Sequence, residues 1–139
     1  MNKRKWLPCA VACIALVAVL AACASKAELR ESDRIIQVSR PDGDRYKIYK
    51  EIREPDRVSQ AEALLRSVVD GSTAIVSMSR TSDYRIAFEN TIPGSSANRV
   101  VFDIWRTPKD DRVEVVLDPT GAYAQLDPET SRSILRLVK

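Results

Sequence analysis

Histidine is absent from the 139 residues, and cysteine is confined to Cys9, Cys13 and Cys23. Without histidine the usual general base and the commonest metal ligand are missing, so Ser-His and Cys-His catalysis are excluded. Because no cysteine follows position 23, a domain built from the remaining residues contains no disulfide and must be held together by its core. The residues after Cys23 are enough for one modest core.

The chain also lacks an excess of charge beyond its first residues. Its formal charge of +3 is supplied entirely by Lys3, Arg4 and Lys5. Without those three residues, the 22 basic side chains fall to 19, which equals the 19 acidic ones. A protein that binds nucleic acid needs a basic surface, so nucleic acid is not expected as a partner.

An apolar stretch without charge, residues 6–22, follows the basic N-terminus. This order is typical of a signal peptide, although the stretch is also about long enough for an uncleaved membrane anchor of roughly 20 residues. It ends in Leu20, Ala21, Ala22 and Cys23, a tetrapeptide that resembles the lipobox of bacterial lipoproteins. The resemblance implies cleavage between Ala22 and Cys23 and a diacylglyceryl group on the sulfur of Cys23.

The predicted product is a lipid-anchored protein on the extracytoplasmic face of the cell membrane. Residues 1–22 would be removed as the signal peptide, and residues 23–33 would form the acylated cysteine and a tether of about 35 Å when extended. Two acyl chains anchor stably, whereas one chain alone binds only marginally. Ala24 and Ser25 differ from the aspartate that retains lipoproteins in the inner membrane of Gram-negative cells, so the outer membrane would be the destination in such a host.

Residues 34–139 are predicted to form a single α+β domain. The β-branched and aromatic runs 34–40 and 45–52 flank Pro41-Asp42-Gly43-Asp44, which predicts a hairpin. Runs with strand character follow, some with clear alternation of apolar and polar residues. They are 72–78, a short apolar run, then 84–90, 99–106, 112–117 and a short edge strand at 122–126.

Two helices are predicted from their first residues. Ser59 and Glu62 fit a capping box before an amphipathic helix that ends at Asp70-Gly71. Asp127 suits an N-cap and Pro128 the first helical position of a terminal helix. The order is β-β-α-β-β-β-(β)-α, and we expect an antiparallel sheet with both helices packed on one face.

Residues 58–139 contain several distinctive features in a fixed order. Asp83 and Tyr84 open an alternating strand, Trp105 lies in the next strand, and a segment beginning at Tyr123 precedes a helix with an acidic cap. This pattern resembles the YhfM-like domain of small lipoproteins from Gram-positive bacteria. The resemblance implies a fold and an envelope location, and it implies no catalytic residue.

Asp83, Tyr84, Trp105 and Tyr123 are the candidates for a binding surface. An aromatic groove with a carboxylate would suit a sugar, a peptide or a cell-wall fragment. The favoured interpretation is that Tyr84 and Trp105 pack in the core or at its rim and that Asp83 caps a turn, because aromatic side chains at strand spacing usually belong to a core.

A second candidate surface is basic and could face an anionic wall polymer. Acidic neighbours favour cross-strand ion pairs as the explanation for these arginines. They are Arg80, Arg85, Arg99, Arg106 and Arg112. The acidic turns 42–44 and 110–111 lack the series of oxygen ligands that a calcium loop requires, so no metal and no cofactor are expected.

The sequence therefore predicts a non-enzymatic binding or accessory domain. Its partners would be the membrane, through lipidated Cys23, and an envelope protein, a peptide or a wall polymer. Two alternatives stay open. An envelope hydrolase would use paired carboxylates or a Ser-Lys pair, and an envelope inhibitor or immunity protein would need a protruding loop, for which residues 91–98 are the candidate.

Overall fold

The structure, a computed structural model, describes residues 33–92 and 99–139. The predicted signal peptide, Cys23 and the tether up to residue 32 lie outside the described residues, as does most of the candidate loop, residues 93–98. Within the described ranges, no helix combines the length and the apolar character needed to cross a membrane.

Six strands and two helices occupy the described ranges, in the predicted order. The strands are β1 (Arg34–Asp42), β2 (Arg45–Ile52), β3 (Tyr84–Asn90), β4 (Val100–Arg106), β5 (Val113–Asp118) and β6 (Ala122–Gln125), and the helices are α1 (Pro55–Asp70) and α2 (Pro128–Val138). All strands join one antiparallel sheet in the order β2-β1-β3-β4-β5-β6. The predicted α+β class is confirmed.

Both helices pack on the same face of the sheet, which we call the covered face; the opposite face is the open face. Successive side chains of β3 point to opposite faces of the sheet, and Tyr84, Ile86 and Phe88 lie in the core beneath the helices. The rings of Phe88 and Phe102 meet edge to face there, with centroids 5.9 Å apart. The helices add Val58, Ala61, Leu65, Val69, Ile134, Leu137 and Val138 to this core.

Helix α1 begins before the predicted capping box, so that prediction is wrong. Glu54 is the N-cap and Pro55 lies in the first turn. Proline is well suited to this position, because the first N–H groups of a helix have no partner within the helix and the fixed φ of proline is already helical. Asp56, also in the first turn, favours the positive end of the helix. Ser59 consequently lies inside the helix.

Helix α2 begins at its predicted cap. Asp127 accepts hydrogen bonds from the main-chain N–H groups of Glu129 at 2.8 Å and Thr130 at 3.0 Å. Hydrogen bonds from the side chain and the main chain of Thr130 lower the pKa of Asp127. The stabilisation from this cap is therefore present above the ordinary titration range of aspartate, and it is lost as the pH falls through the lowered pKa.

A β-bulge in β2 fastens the far end of α2 to the sheet. The pairing of β1 with β2 shifts so that Tyr49 has no partner residue in β1. The Tyr49 hydroxyl donates to the carbonyl of Val138, and Nζ of Lys50 donates to the carbonyl of Leu137 at 2.9 Å. The last carbonyls of a helix have no partner within it, so these two side chains complete the helix C-terminus.

Segment 72–78 does not form the predicted strand. Its ladder is a single bridge between Ile75 and Ala122, and Ile75 is 78% exposed. Two main-chain hydrogen bonds flank it: the N–H of Val76 donates to the carbonyl of Gly121, and the N–H of Tyr123 donates to the carbonyl of Ala74, both at 3.0 Å. The apolar run therefore touches the outer edge of β6 without extending the sheet.

Gly121 is the contact point that lets this segment approach, and we expect Gly121→Ala to loosen it. The φ of Gly121 is +74°, and a Cβ there would lie 3.1 Å from both Ile75 Cγ2 and the carbonyl oxygen of Val76. A non-glycine residue in this conformation costs about 1–3 kcal/mol. Chemical denaturation should show a loss of unfolding free energy of that size.

Gly71→Ala is the matched control for this prediction. Gly71 has a φ of −80°, and its added Cβ would make an ordinary contact at 3.6 Å. We expect a change within about 0.5 kcal/mol. Equal losses in both variants would contradict the role assigned to Gly121.

Candidate functional site

The open face carries a groove with three walls. The first wall is segment 76–82, the second is the hairpin tip, residues 43–46, and the third is the turn between β5 and β6. Asp103 and Trp105 contribute to its floor. Its volume is about 660 Å³, within the range of roughly 300–1,000 Å³ that is usual for ligand pockets.

The strand register places the floor residues on the open face. Arg85 of β3 lies opposite Asp103 of β4, and Asp103 lies opposite Val116 of β5. Directly paired residues of an antiparallel sheet point to the same side. Trp105 lies two residues beyond Asp103 in β4, and side chains two apart share a face.

Four side chains form a hydrogen-bonded cluster at the edge of this floor: Tyr46, Ser82 and Asp103 line the groove, and Arg85 lines a neighbouring cavity on the same face. The hydroxyl of Ser82 donates to Asp103 Oδ1 at 3.0 Å and lies 2.6 Å from the hydroxyl oxygen of Tyr46. Because serine has only one hydroxyl hydrogen, Tyr46 is the donor to Ser82. We call this group the floor cluster.

The guanidinium group of Arg85 completes the floor cluster. Its Nε donates to Asp103 Oδ1 at 2.8 Å, and a terminal nitrogen donates to Oδ2 at 2.9 Å. Its central carbon lies 4.1 Å from the centroid of the Tyr46 ring, which is a cation-π contact. The hydrogen bond to Asp103 is the largest cause that raises the pKa of Arg85. Ser82 is 1% exposed, so the cluster is a built feature of the fold.

Breaking the pair of Arg85 and Asp103 is expected to weaken the fold. The two side chains are 29% and 14% exposed, and a charged hydrogen bond of this kind contributes about 1.5–3 kcal/mol. A double-mutant cycle with Arg85→Gln and Asp103→Asn, measured by chemical denaturation, should give a coupling energy of about 1–3 kcal/mol.

The ion pair of Arg80 and Asp83 provides the control cycle. Its atoms are 3.3 Å apart and its side chains are 51% and 28% exposed. Such a pair contributes about 0–1 kcal/mol. A coupling energy for Arg85 and Asp103 no larger than this would show that the floor cluster adds no particular stability.

Of the residues predicted from the sequence, Trp105 lines the groove and Asp83 follows directly after its first wall. Trp105 is only 5% exposed, and its Nε1 donates to the carbonyl of Arg80 at 3.0 Å. Asp83 lies at the edge of the open face, where it pairs with Arg80 and accepts the main-chain N–H of Arg106 at 2.6 Å. Trp105 therefore holds segment 76–82 in place, and Asp83 fixes the start of β3.

The other two predicted residues lie away from the groove. Tyr84 is 9% exposed and belongs to the core on the covered face. Tyr123 lies opposite Val116 and so on the open face, where its hydroxyl donates to Glu114 at 3.0 Å. Burial and then this hydrogen bond raise the pKa of Tyr123. The four residues therefore do not form one surface.

The arginines of the basic candidate surface are mostly ion-paired. The pairs are Arg80–Asp83, Arg85–Asp103, Arg99–Glu89 and Arg106–Asp110. Arg85–Asp103 joins neighbouring strands, as cross-strand pairing predicts. Their positive charge is compensated by these partners.

Tyr46 and Ser82 were missed by sequence reasoning. Their hydroxyl groups meet across 36 residues of chain, so no local motif connects them. The signal that was available is the two-residue period of β2, which places Tyr46 and Ile48 on one face. That period could not show that Ser82 lies beside the hydroxyl of Tyr46.

The chain is thus an α+β protein whose open sheet face, in the described residues, carries this groove and a smaller cavity beside it that Ser39 and Arg85 line. In the part of the chain that is described, no group of three or more His, Cys, Asp or Glu side chains could hold a metal ion. No family model, no curated protein and no solved structure matches the chain.

Proposed function

We propose that the protein is a lipid-anchored binding domain of the bacterial cell envelope and that the groove on the open face is its ligand site. The observation that carries this proposal is the floor cluster. Tyr46, Ser82, Arg85 and Asp103 satisfy one another beneath a groove of about 660 Å³. A few well-placed polar groups at the floor of a preformed groove are typical of a site that orients a ligand.

The anchoring half of the proposal rests on the lipobox. Acylation of Cys23 would hold the domain at the extracytoplasmic face of a membrane, where an envelope protein, a peptide or a wall polymer is within reach of its tether. The resemblance of residues 58–139 to the YhfM-like domain stays a prediction and agrees with that location. Binding is favoured over hydrolysis because the carboxylate on the floor, Asp103, is engaged by Arg85 and Ser82.

The fluorescence of Trp105 can be used to test whether a ligand binds in the groove. Removal of residues 1–22 with Trp6 would leave Trp105 as the only tryptophan, so its emission reports on the groove alone. The mature lipoprotein in detergent micelles would be titrated with muropeptides and with peptidoglycan-derived disaccharides. We expect a saturable change in emission with at least one of these probes.

Two variants sharpen this experiment. Tyr46→Ala removes the aromatic side chain of the second wall and one member of the floor cluster, and it should weaken binding. Tyr123→Phe changes the same face of the sheet outside the groove and should leave the titration unaltered. Unchanged emission with every probe, in protein whose circular dichroism shows a folded domain, would contradict the proposed function.

A further inference from the structure

Strand β2 forms one edge of the sheet, and its outer side has no partner among the described residues. β2 pairs with β1 alone. No main-chain hydrogen bond joins residues 45–52 to any other segment within 33–92 and 99–139. The opposite edge differs, because segment 74–76 makes main-chain hydrogen bonds beside β6. In the part of the chain that the structure describes, β2 is therefore the open edge of the sheet.

The register of the hairpin shows which main-chain groups of β2 point to that outer side. Asp42 and Arg45 close a two-residue turn, and such a closing pair is hydrogen-bonded. Hydrogen-bonded and non-hydrogen-bonded pairs then alternate along an antiparallel ladder. Pro41, which has no N–H, pairs with Tyr46, as this alternation requires. The next non-hydrogen-bonded pair contains Ile48, so Tyr46 and Ile48 turn their N–H and C=O groups outward.

The open edge is short and is fixed in position. The bulge at Tyr49 limits its regular part to residues 45–48, which are about 13 Å long at 3.3 Å per residue. Tyr49 and Lys50 bond to the end of α2, so the strand is held where it lies. Ile48 points to the open face and is 48% exposed, which leaves a large apolar side chain available beside the edge.

The other side of the edge carries an excess of positive charge. Val38 lies in the core, so the side chains of β1 and β2 that share its face lie on the covered side. Four basic residues and one acidic residue of the hairpin lie there: Arg40, Arg45, Lys47, Lys50 and Asp42. Within the described ranges none of the four basic residues forms an ion pair. Arg40 and Lys47 are directly opposite, and like charges in that arrangement destabilise a sheet.

These charges decide which strand the edge accepts. Basic side chains on an edge discourage pairing with apolar strands. A second copy of the same edge would place Arg45 and Lys47 against like charges, which is unfavourable. Directly paired residues point to the same side, so a complementary strand has acidic residues opposite Arg45 and Lys47 and apolar residues opposite Tyr46 and Ile48. Its sequence alternates acidic and apolar residues.

We propose that residues 45–48 are a docking edge for an extended segment of another protein in which acidic and apolar residues alternate. The main-chain groups of Tyr46 and Ile48 pair with the added strand, and the basic side chains select its charge. This surface goes beyond the proposed function, which concerns the groove and the lipid anchor. Because Arg45 also lines the groove, the test relies on Lys47 and Ile48.

The test uses two synthetic heptapeptides of equal composition on the full chain as isolated, in detergent micelles. One alternates four glutamates with three valines, and the other groups the glutamates at one end. In the free protein, hydrogen exchange followed by NMR should be slow at the amide of Lys47 and fast at those of Tyr46 and Ile48. We expect the alternating peptide to slow exchange at both of the latter and to bind at least about threefold more tightly than the grouped peptide.

A charge exchange tests the predicted contact with Lys47. Lys47→Glu should weaken binding of the alternating peptide by about threefold or more. A peptide with lysine in place of each glutamate should then bind Lys47→Glu more tightly than the unaltered protein, which a merely structural effect would not produce. Lys109→Glu is the matched control, because Lys109 is an exposed lysine in the turn between β4 and β5. It should leave both affinities within about twofold.

Two substitutions at Ile48 test the main-chain pairing. Ile48→Pro removes an outward N–H and leaves the ladder to β1 intact, whereas Ile48→Val keeps the N–H. Loss of one hydrogen bond corresponds to about three- to tenfold weaker binding of the alternating peptide for Ile48→Pro. Ile48→Val should bind within about twofold of the unaltered protein.

Four results would overturn the inference. They are unslowed exchange at Tyr46 and Ile48 with the alternating peptide, equal binding of the two glutamate peptides, protection of the same amides in a dimer of the protein alone, and binding of anionic phospholipid vesicles without binding of the peptide. The third would assign the edge to a second copy of this chain, and the fourth would assign the basic side to a membrane surface. If Ile48→Pro does not fold, amide exchange in the unaltered protein decides.

Discussion

Phe102→Ala is expected to remove about 3–5 kcal/mol from the free energy of unfolding, which is the usual cost of truncating a buried phenylalanine. Phe102 is 0% exposed in β4, opposite Ile86 on one side and Leu117 on the other. Its ring also meets Phe88 edge to face. Since domains of this size are stable by about 5–15 kcal/mol, the variant should lose a large part of its stability.

Chemical denaturation followed by circular dichroism measures this loss. Ile75→Ala is the control, because it also shortens a large apolar side chain but at a position that is 78% exposed. Its expected effect lies within about 0.5 kcal/mol. Similar losses for Phe102→Ala and Ile75→Ala would show that the core is not centred on β4.

Cys23→Ser is expected to abolish processing altogether. The lipobox hypothesis gives the sulfur of Cys23 a diacylglyceryl group before cleavage, and serine has no sulfur to receive it. Intact-mass spectrometry of the membrane fraction should find the unaltered protein without residues 1–22 and with its acyl chains. The variant should be found as the unmodified 15.5 kDa chain.

Cys13→Ser is the matched control, because it changes the same atom within the apolar stretch of the predicted signal peptide. It should be processed and acylated like the unaltered protein. An unaltered protein that still began at Met1 and carried no lipid would contradict the lipoprotein hypothesis, and with it the envelope location.

The sequence predicted those elements whose signal is local. The alternation of 84–90 gave the bounds of β3, and Asp127 with Pro128 gave the start of α2. Each rests on a few consecutive residues that satisfy their own geometry. The prediction of a strand at 72–78 was wrong because it was inferred from apolar content alone. In the structure, Ile75 is exposed and forms a single bridge to Ala122 of β6.

Of the groove, the sequence could indicate Trp105 but not the residues around it, because their positions depend on the register in which the strands pair. Trp105 and Tyr84 both looked distinctive, but which face each occupies follows from how β3 and β4 pair. The pairing of Arg85 with Asp103 brings together residues 18 apart, and Tyr46 meets Ser82 across 36. No pattern within one strand contains that information.

The bulge that carries Tyr49 also sets when this domain can finish folding. Tyr49 and Lys50 reach their acceptors, Val138 and Leu137, across 89 and 87 residues of chain. The β1–β2 hairpin can pair by itself, whereas its contact with the end of α2 can form only after Leu137 and Val138 have been added to the chain.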